Sequence, residues 1–272
     1  GTDEVQRMQA FFQGYDIQVR TDFDPLNEIW TDRPSIPTAK VELHPLEFAG
    51  ETTESKFARI RESLRSCDAE AMLVSALDDI AWTLNLRGSD VYCNPVFVSY
   101  LMIEQESATL FVNEEKLDDA VRRYLSDLGV AVQPYAAVAD YLRSHAFEGG
   151  LLLDSVKTCY YLASCALEKS VVRFAPSPIP AMKAVKNEAE IAGYRRAMTR
   201  DGVAMVRLLK WIKPAVAKGG VTEMGVDDKL TALRSEDPAY VEKSFETIAA
   251  YESHGAIVHY EPTADSDVEL RP

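Results

Sequence analysis

The chain has 272 residues, and its 43 Asp and Glu against 29 Lys and Arg give a formal charge of −14. A field of that sign repels phosphate backbones and anionic lipid surfaces, which excludes nucleic acid and membrane as expected partners. The length suits two domains, each able to bury its own core, and a hydrophobic fraction of 47% fits a globular class.

The opening "EVQRMQAFFQGYDIQV" places Val5, Met8 and Phe12 at helical spacing and, after Gly14, predicts a short strand, "DIQV". Gly1 stands in place of Met immediately before the helical "EVQRMQAFF", so the native start is expected elsewhere, and no basic-then-apolar leader opens the chain. Residues 29–50 are interrupted by Pro34, Pro37 and Pro45 and keep no period, which predicts a linker between two units. From Thr53 helix and strand signals alternate. Phe57, Ile60 and Leu64 line one helix face, and "AMLVS" at 71–75 reads as a buried strand. "DDIAWTLNLR" predicts a helix, "VFVSYLMI" and "ATLFV" neighbouring strands, and "EEKLDDAVRRYLSDLG" a helix closed by glycine. "GLLLD" is a further buried strand, followed by a helix at "YYLASCAL".

This order implies an α/β unit with a mixed sheet, because runs such as "LMI" and "LLL" need cover on both faces. It is closer to a small ribonuclease-H-like unit than to a doubly wound nucleotide binder, since no Gly-rich phosphate loop follows a predicted strand. After a second linker, "APSPIPAMKAVKN", the pattern changes to long helices. Asn187 with Glu190 predicts a cap, and Ile191, Tyr194, Met198, Gly202, Met205, Leu209 and Ile212 form an apolar face that Pro214 is expected to end. "KGGVTE" then leads into a second helix with Val226, Leu230 and Leu233 inward. "SFETIAAYESHGAIVHY", residues 244–260, predicts a strand, a turn at His254-Gly255 and a returning strand.

Chemistry-bearing residues are sparse. Cys67, Cys93, Cys159 and Cys165 make no CxxC pair or His/Cys cluster, which predicts free, mostly buried thiols in a reducing cytosol. His254 and His259 lie close in sequence, but an i, i+5 pair on one strand points to opposite faces and is no metal pair. In "NLRGSDVYCNP", Arg87, Asp90 and Asn94 either converge on a ligand or let Arg87 pair with Asp90 to hold a loop. Asp78 and Asp79 stand where a helix begins, so capping and helix-dipole stabilisation are their expected roles. "NEEKLDD" and "ADSDVE" read as solvated surface.

The stretches "IWTDRP", "ALDDIAWTLNLRGSDVYCNPVFVSY", "MKAVKNEAEIAGYRRA", "KGGVTE", "DDKLTALR" and "SFETIAAYESHGAIVHY" together resemble one family, the Xaa-Pro aminopeptidases (aminopeptidase P) in their long three-domain form. The resemblance runs in order along almost the whole chain. It implies a middle slice of such a protein: residues 1–44 the tail of a preceding α/β domain plus linker, 45–178 a second creatinase-N-like α/β domain, and 179–272 the truncated start of a pita-bread α+β catalytic domain. Members of the family remove the N-terminal residue from short peptides with proline second, using two divalent metals, commonly manganese, held by two Asp, one His and two Glu. Paired metals of this kind polarise the scissile carbonyl and generate a nucleophilic water.

The resemblance also implies that all five ligands lie downstream of the predicted strand pair, so this chain is expected to hold no metal and to be inactive alone. His259 matches the histidine of the family's "HY" motif, which implies a hydrogen bond to substrate near the scissile carbonyl. His254 stands where the family usually has Asn. The implied partners are short peptides and a second copy of the intact enzyme as a homodimer, and the implied location is cytoplasmic. The alternative is a metal-free peptide- or protein-binding module of the same fold.

Overall fold

The apolar runs that call for cover on both faces become the central strands of one sheet. A computed structural model describes residues 1–272, the side chain of residue 27 excepted, and it separates into two units, 1–187 and 188–272. The first unit contains, in chain order, α1 (Thr2–Phe12), α2 (Leu26–Ile29), β1 (Glu42–Leu43), α3 (Leu46–Ala49), α4 (Thr53–Ser66), β2 (Ala71–Val74), α5 (Leu77–Leu84), β3 (Leu86–Arg87), β4 (Ser99–Glu104), β5 (Ala108–Val112), α6 (Asp119–Asp127), β6 (Val130–Pro134), α7 (Val138–Ser144), β7 (Leu151–Leu153), α8 (Tyr160–Leu167), β8 (Val172–Phe174) and α9 (Ile179–Ala184).

Six strands form a mixed sheet in the order β6-β5-β4-β2-β7-β8. Only β4 runs against the rest: it pairs antiparallel with β2 and β5, while β5–β6, β2–β7 and β7–β8 are parallel. Alternation along the strands sorts side chains to the two faces. Met72, Val74, Leu101, Ile103, Leu110 and Leu152 join Phe57, Ile60 and Leu64 of α4 and Val121 and Leu125 of α6. Leu73, Met102, Phe111, Leu151 and Leu153 turn the other way, onto Leu142 of α7 and Leu162 and Ala166 of α8. The result is three layers, helix on sheet on helix, and each fully buried Leu, Ile or Phe contributes about 1.5–3 kcal/mol.

Several expectations are corrected within this unit. "DIQV" forms no strand, because no edge lies beside it to accept its backbone. Residues 42–43, read as linker, pair instead with β3, Glu42 opposite Arg87. Of the cysteines expected to be mostly buried, Cys165 is buried and Cys67 and Cys159 are exposed. Asp78 and Asp79 sit in the first turn of α5, as the helix-dipole reading expects, and both also bind Lys183 of α9, which the sequence did not show.

The second unit contains α10 (Glu188–Val216) and α11 (Glu223–Arg234). Ala204 and Leu208 of α10 pack on Val226, Leu230 and Leu233 of α11. Pro214 lies inside α10 rather than ending it, and the helix closes two residues later. A proline so near the end forfeits only one ladder bond. The expected apolar face of α10 holds only in part: Met205 and Ile212 pack on this cluster, while Ile191, Tyr194, Met198 and Leu209 are exposed and the fully buried positions are Ala204 and Leu208. Residues 244–260 form no strands. They run as irregular chain with a short 3-10 turn at Glu252–Ala256, because two strands paired only with each other lack the sheet that would stabilise them.

Candidate functional site

Two loops carry the residues that the sequence singled out. In the first unit the loop after α5 begins at Asn85, which ends the helix in a left-handed conformation, φ +49°. A short polar side chain tolerates that geometry, and Asn85 uses it fully: its Oδ1 accepts from Lys56 Nζ at 2.6 Å and its Nδ2 donates to the Glu51 carbonyl at 2.9 Å. Lys56 is 1% exposed, donates also to the Trp82 carbonyl, and lies over the Trp82 ring. Asp90 points inward as well. Its carboxylate meets Lys116 Nζ at 2.5 and 2.6 Å with both side chains fully buried, and it accepts from the Val98 N–H at 2.7 Å.

The partner of Asp90 is therefore Lys116, and no ion pair joins Arg87 to Asp90 among the described residues. Arg87 and Asn94 are exposed. Lys116 belongs to "NEEKLDD", read as solvated surface, yet its ammonium is buried. That acidic setting concealed a structural cation. Beside this loop His44 is pushed down to about 4 by burial and by the nearby Arg87 and Lys56 cations.

In the second unit the site is built around Glu223, the first residue of α11. Thr222 caps the helix by accepting from the Gly225 N–H at 3.1 Å, and the Glu223 N–H donates to the Val268 carbonyl at 3.2 Å. The Glu223 side chain is 1% exposed. Its carboxylate accepts from the Tyr251 N–H at 2.5 Å, from His254 Nδ1 at 3.0 and 3.1 Å, and from the Tyr260 hydroxyl at 2.7 Å. Burial alone raises the pKa of a carboxyl; the hydrogen bonds from Tyr260, Tyr251 and His254 outweigh it and hold Glu223 below the usual carboxylate range. The imidazole of His254 lies against the Tyr260 ring, 4.6 Å between centroids. Next to buried Tyr260, His259 is exposed with φ +55°. It makes no side-chain hydrogen bond among the described residues. His254 and His259 thus differ in kind: one is bound to a buried carboxylate, the other is presented to solvent.

The signal for Glu223 was available, since it ends the "KGGVTE" turn, but a carboxylate at a helix start reads as a dipole partner. No group of three or more His, Cys, Asp or Glu side chains able to hold a metal occurs among the described residues. No helix of the described residues is long and apolar enough to cross a membrane.

Comparison with known proteins decides the family. Residues 32–190, more than half of the chain, match the creatinase/prolidase N-terminal domain model. This chain belongs to that family. Beyond the creatinase-type domain, residues 192–272 match metallopeptidase family M24. Xaa-Pro aminopeptidase 1 of Dictyostelium discoideum is 38% identical over 246 residues, covering 88% of this chain and 39% of that protein. A probable Xaa-Pro aminopeptidase P of Leptosphaeria maculans is 36% identical over 87% of this chain and 41% of its own length. The chain is similar to the crystal structure of X-prolyl aminopeptidase from Caenorhabditis elegans, a cytosolic enzyme with a di-nuclear active site, with a TM-score of 0.90 and 30% identity, covering 99% of this chain and 45% of that one. A recombinant prolidase from Thermococcus sibiricus shares the fold more distantly, at a TM-score of 0.56 and 16% identity. The chain thus spans about two fifths of the curated relatives it matches, and the resemblance to Xaa-Pro aminopeptidases is borne out.

Proposed function

We propose that the longer protein represented by this chain is a metallo-aminopeptidase that removes the N-terminal residue from short peptides with proline in second position. The observation that carries this reading is the joint match of both units, in order, to Xaa-Pro aminopeptidases, at 38% identity to one and a TM-score of 0.90 to another. Two divalent metals, manganese foremost, are assigned to residues outside this chain, which by itself is expected to be inactive. Within the chain His259 is assigned to hydrogen-bond substrate beside the scissile carbonyl, where an imidazole N–H stabilises developing negative charge. The exposed Arg87 and Asn94 are offered as further substrate contacts, while the Asp90 carboxylate is held by buried Lys116. Residues 1–44 belong in this reading to the end of a preceding domain, 45–178 to the second and 179–272 to the catalytic one. The intact enzyme is assigned to the cytoplasm and to a homodimer.

The test is peptide hydrolysis by the longer protein, loaded with Mn²⁺, against Xaa-Pro and Xaa-Ala peptides. Metal-dependent release of the first residue from the Xaa-Pro peptide alone is expected, with His259→Ala lowering kcat on the order of 10²- to 10³-fold while metal content stays normal. Peptide binding without release would support the binding module instead.

A further inference from the structure

The loop from Tyr251 to Tyr260 has little regular backbone pairing, yet it holds two non-glycine residues with positive φ, Glu252 at +48° and His259 at +55°. Such conformations persist only where surrounding structure imposes them. A single buried side chain reaches both ends and the middle of this loop. Glu223 receives the Tyr251 N–H at the start, His254 Nδ1 at the centre and the Tyr260 hydroxyl at the end. A carboxylate in the first turn of a helix ordinarily serves that helix's own N–H groups. Here all the donors to Glu223 come from the loop, and the helix is capped separately by Thr222.

His259 is the immediate neighbour of Tyr260, the last of those contacts, and its own side chain has no partner among the described residues. The position from which its imidazole projects is therefore set by backbone, and the backbone is set by what holds Tyr260 and His254. We propose that Glu223 is a positioning residue for His259, clamping both sides of the loop so that the Cα–Cβ bond carrying the exposed imidazole is held at one place on the surface. This rests on His259 touching substrate, but the clamp and the contact are separable. The ionised form is what the clamp needs: a carboxylate accepts from all three donors, whereas an amide of the same size turns one oxygen into a donor and opposes one of them.

Two measurements on Glu223→Gln separate the possibilities. In the ¹³C-histidine-labelled chain, the His259 ring signal, identified by its disappearance in His259→Ala, is expected to shift or broaden in Glu223→Gln. It should stay put in Glu236→Gln, an exposed acid bound to Arg207. In the longer, metal-loaded protein, Glu223→Gln is expected to lower kcat on the order of 10- to 10²-fold with little change in KM, and by less than about twofold when His259 is already Ala. An unmoved His259 signal, or kinetic losses that multiply in the double variant, overturns the clamp. If the His259 signal moves but His259→Ala keeps full activity, the clamp stands and the substrate contact falls. Should Glu223→Gln fail to fold, Tyr260→Phe removes one donor and keeps the ring, and it is expected to move the His259 signal in the same direction by less; no movement there overturns the clamp equally.

Discussion

Asp90 and Lys116 lie 26 positions apart and meet with no solvent contact on either side chain. Desolvation of a pair like this offsets much of its attraction, so the pair matters chiefly through what happens when half of it is removed. Lys116→Met is expected to cost about 3–5 kcal/mol in urea unfolding, and adding Asp90→Leu is expected to recover most of that loss. A single-variant cost below about 1 kcal/mol would mean that water reaches the site. His44 gives a pH signature with a definite sign. Its folded pKa, about 4, lies below the ordinary 6.5, so the unfolded chain takes up the proton first. Stability is therefore lost as pH falls from 6.5 toward about 4, and this contribution levels off below that. The histidine-specific part is about 1–2 kcal/mol once partial exposure is allowed for. Comparing urea midpoints of the wild type and His44→Gln across that window isolates it; identical slopes would remove the effect. None of these three residues was legible in this role from sequence, because partners distant along the chain leave no local spacing to read.

Elements were legible where one periodicity was enough to define them. Phe57, Ile60 and Leu64 were expected on one face of α4 and are all buried, and the uninterrupted runs at 101–103 and 151–153 are buried strands. Periodicity held only in part on α10, which has apolar residues on more than one stripe. Composition cannot say which stripe meets α11. The structure makes the choice testable: Leu208→Ala is expected to destabilise the second unit by about 2–4 kcal/mol, whereas Leu209→Ala stays within about 0.5 kcal/mol. Equal effects in thermal unfolding would restore the expected face. Residues 244–260 failed for a different reason. Their alternation is strand-like, but a strand is a property of a pair, and the partner has to exist before the pattern can be realised.

At the scale of the whole molecule, the α/β class and the mixed sheet followed from the order of helix and strand signals, while β6 and β8, short edge strands with exposed residues, carried too weak a pattern to be found. Residues 1–187 enclose both faces of their sheet, so this unit expressed alone is expected to unfold in one cooperative urea transition; a broad, non-cooperative loss of ellipticity would contradict that. The reversed direction of β4 also sets a sequence of events in time. Its hairpin with β5 closes over residues 105–107, and β6 adds to β5 through the adjacent α6, whereas β2 has to find β7 across the span from Ala71 to Leu151. Short closures precede long ones during folding. Pulse-labelled hydrogen exchange on residues 1–187 should therefore show protection in 99–134 before 151–153 and 172–174, and simultaneous protection would refute the order. In the interval, β2 presents an apolar edge with no neighbour on its β7 side, and newly made chains that dwell there are the ones at risk of pairing with each other.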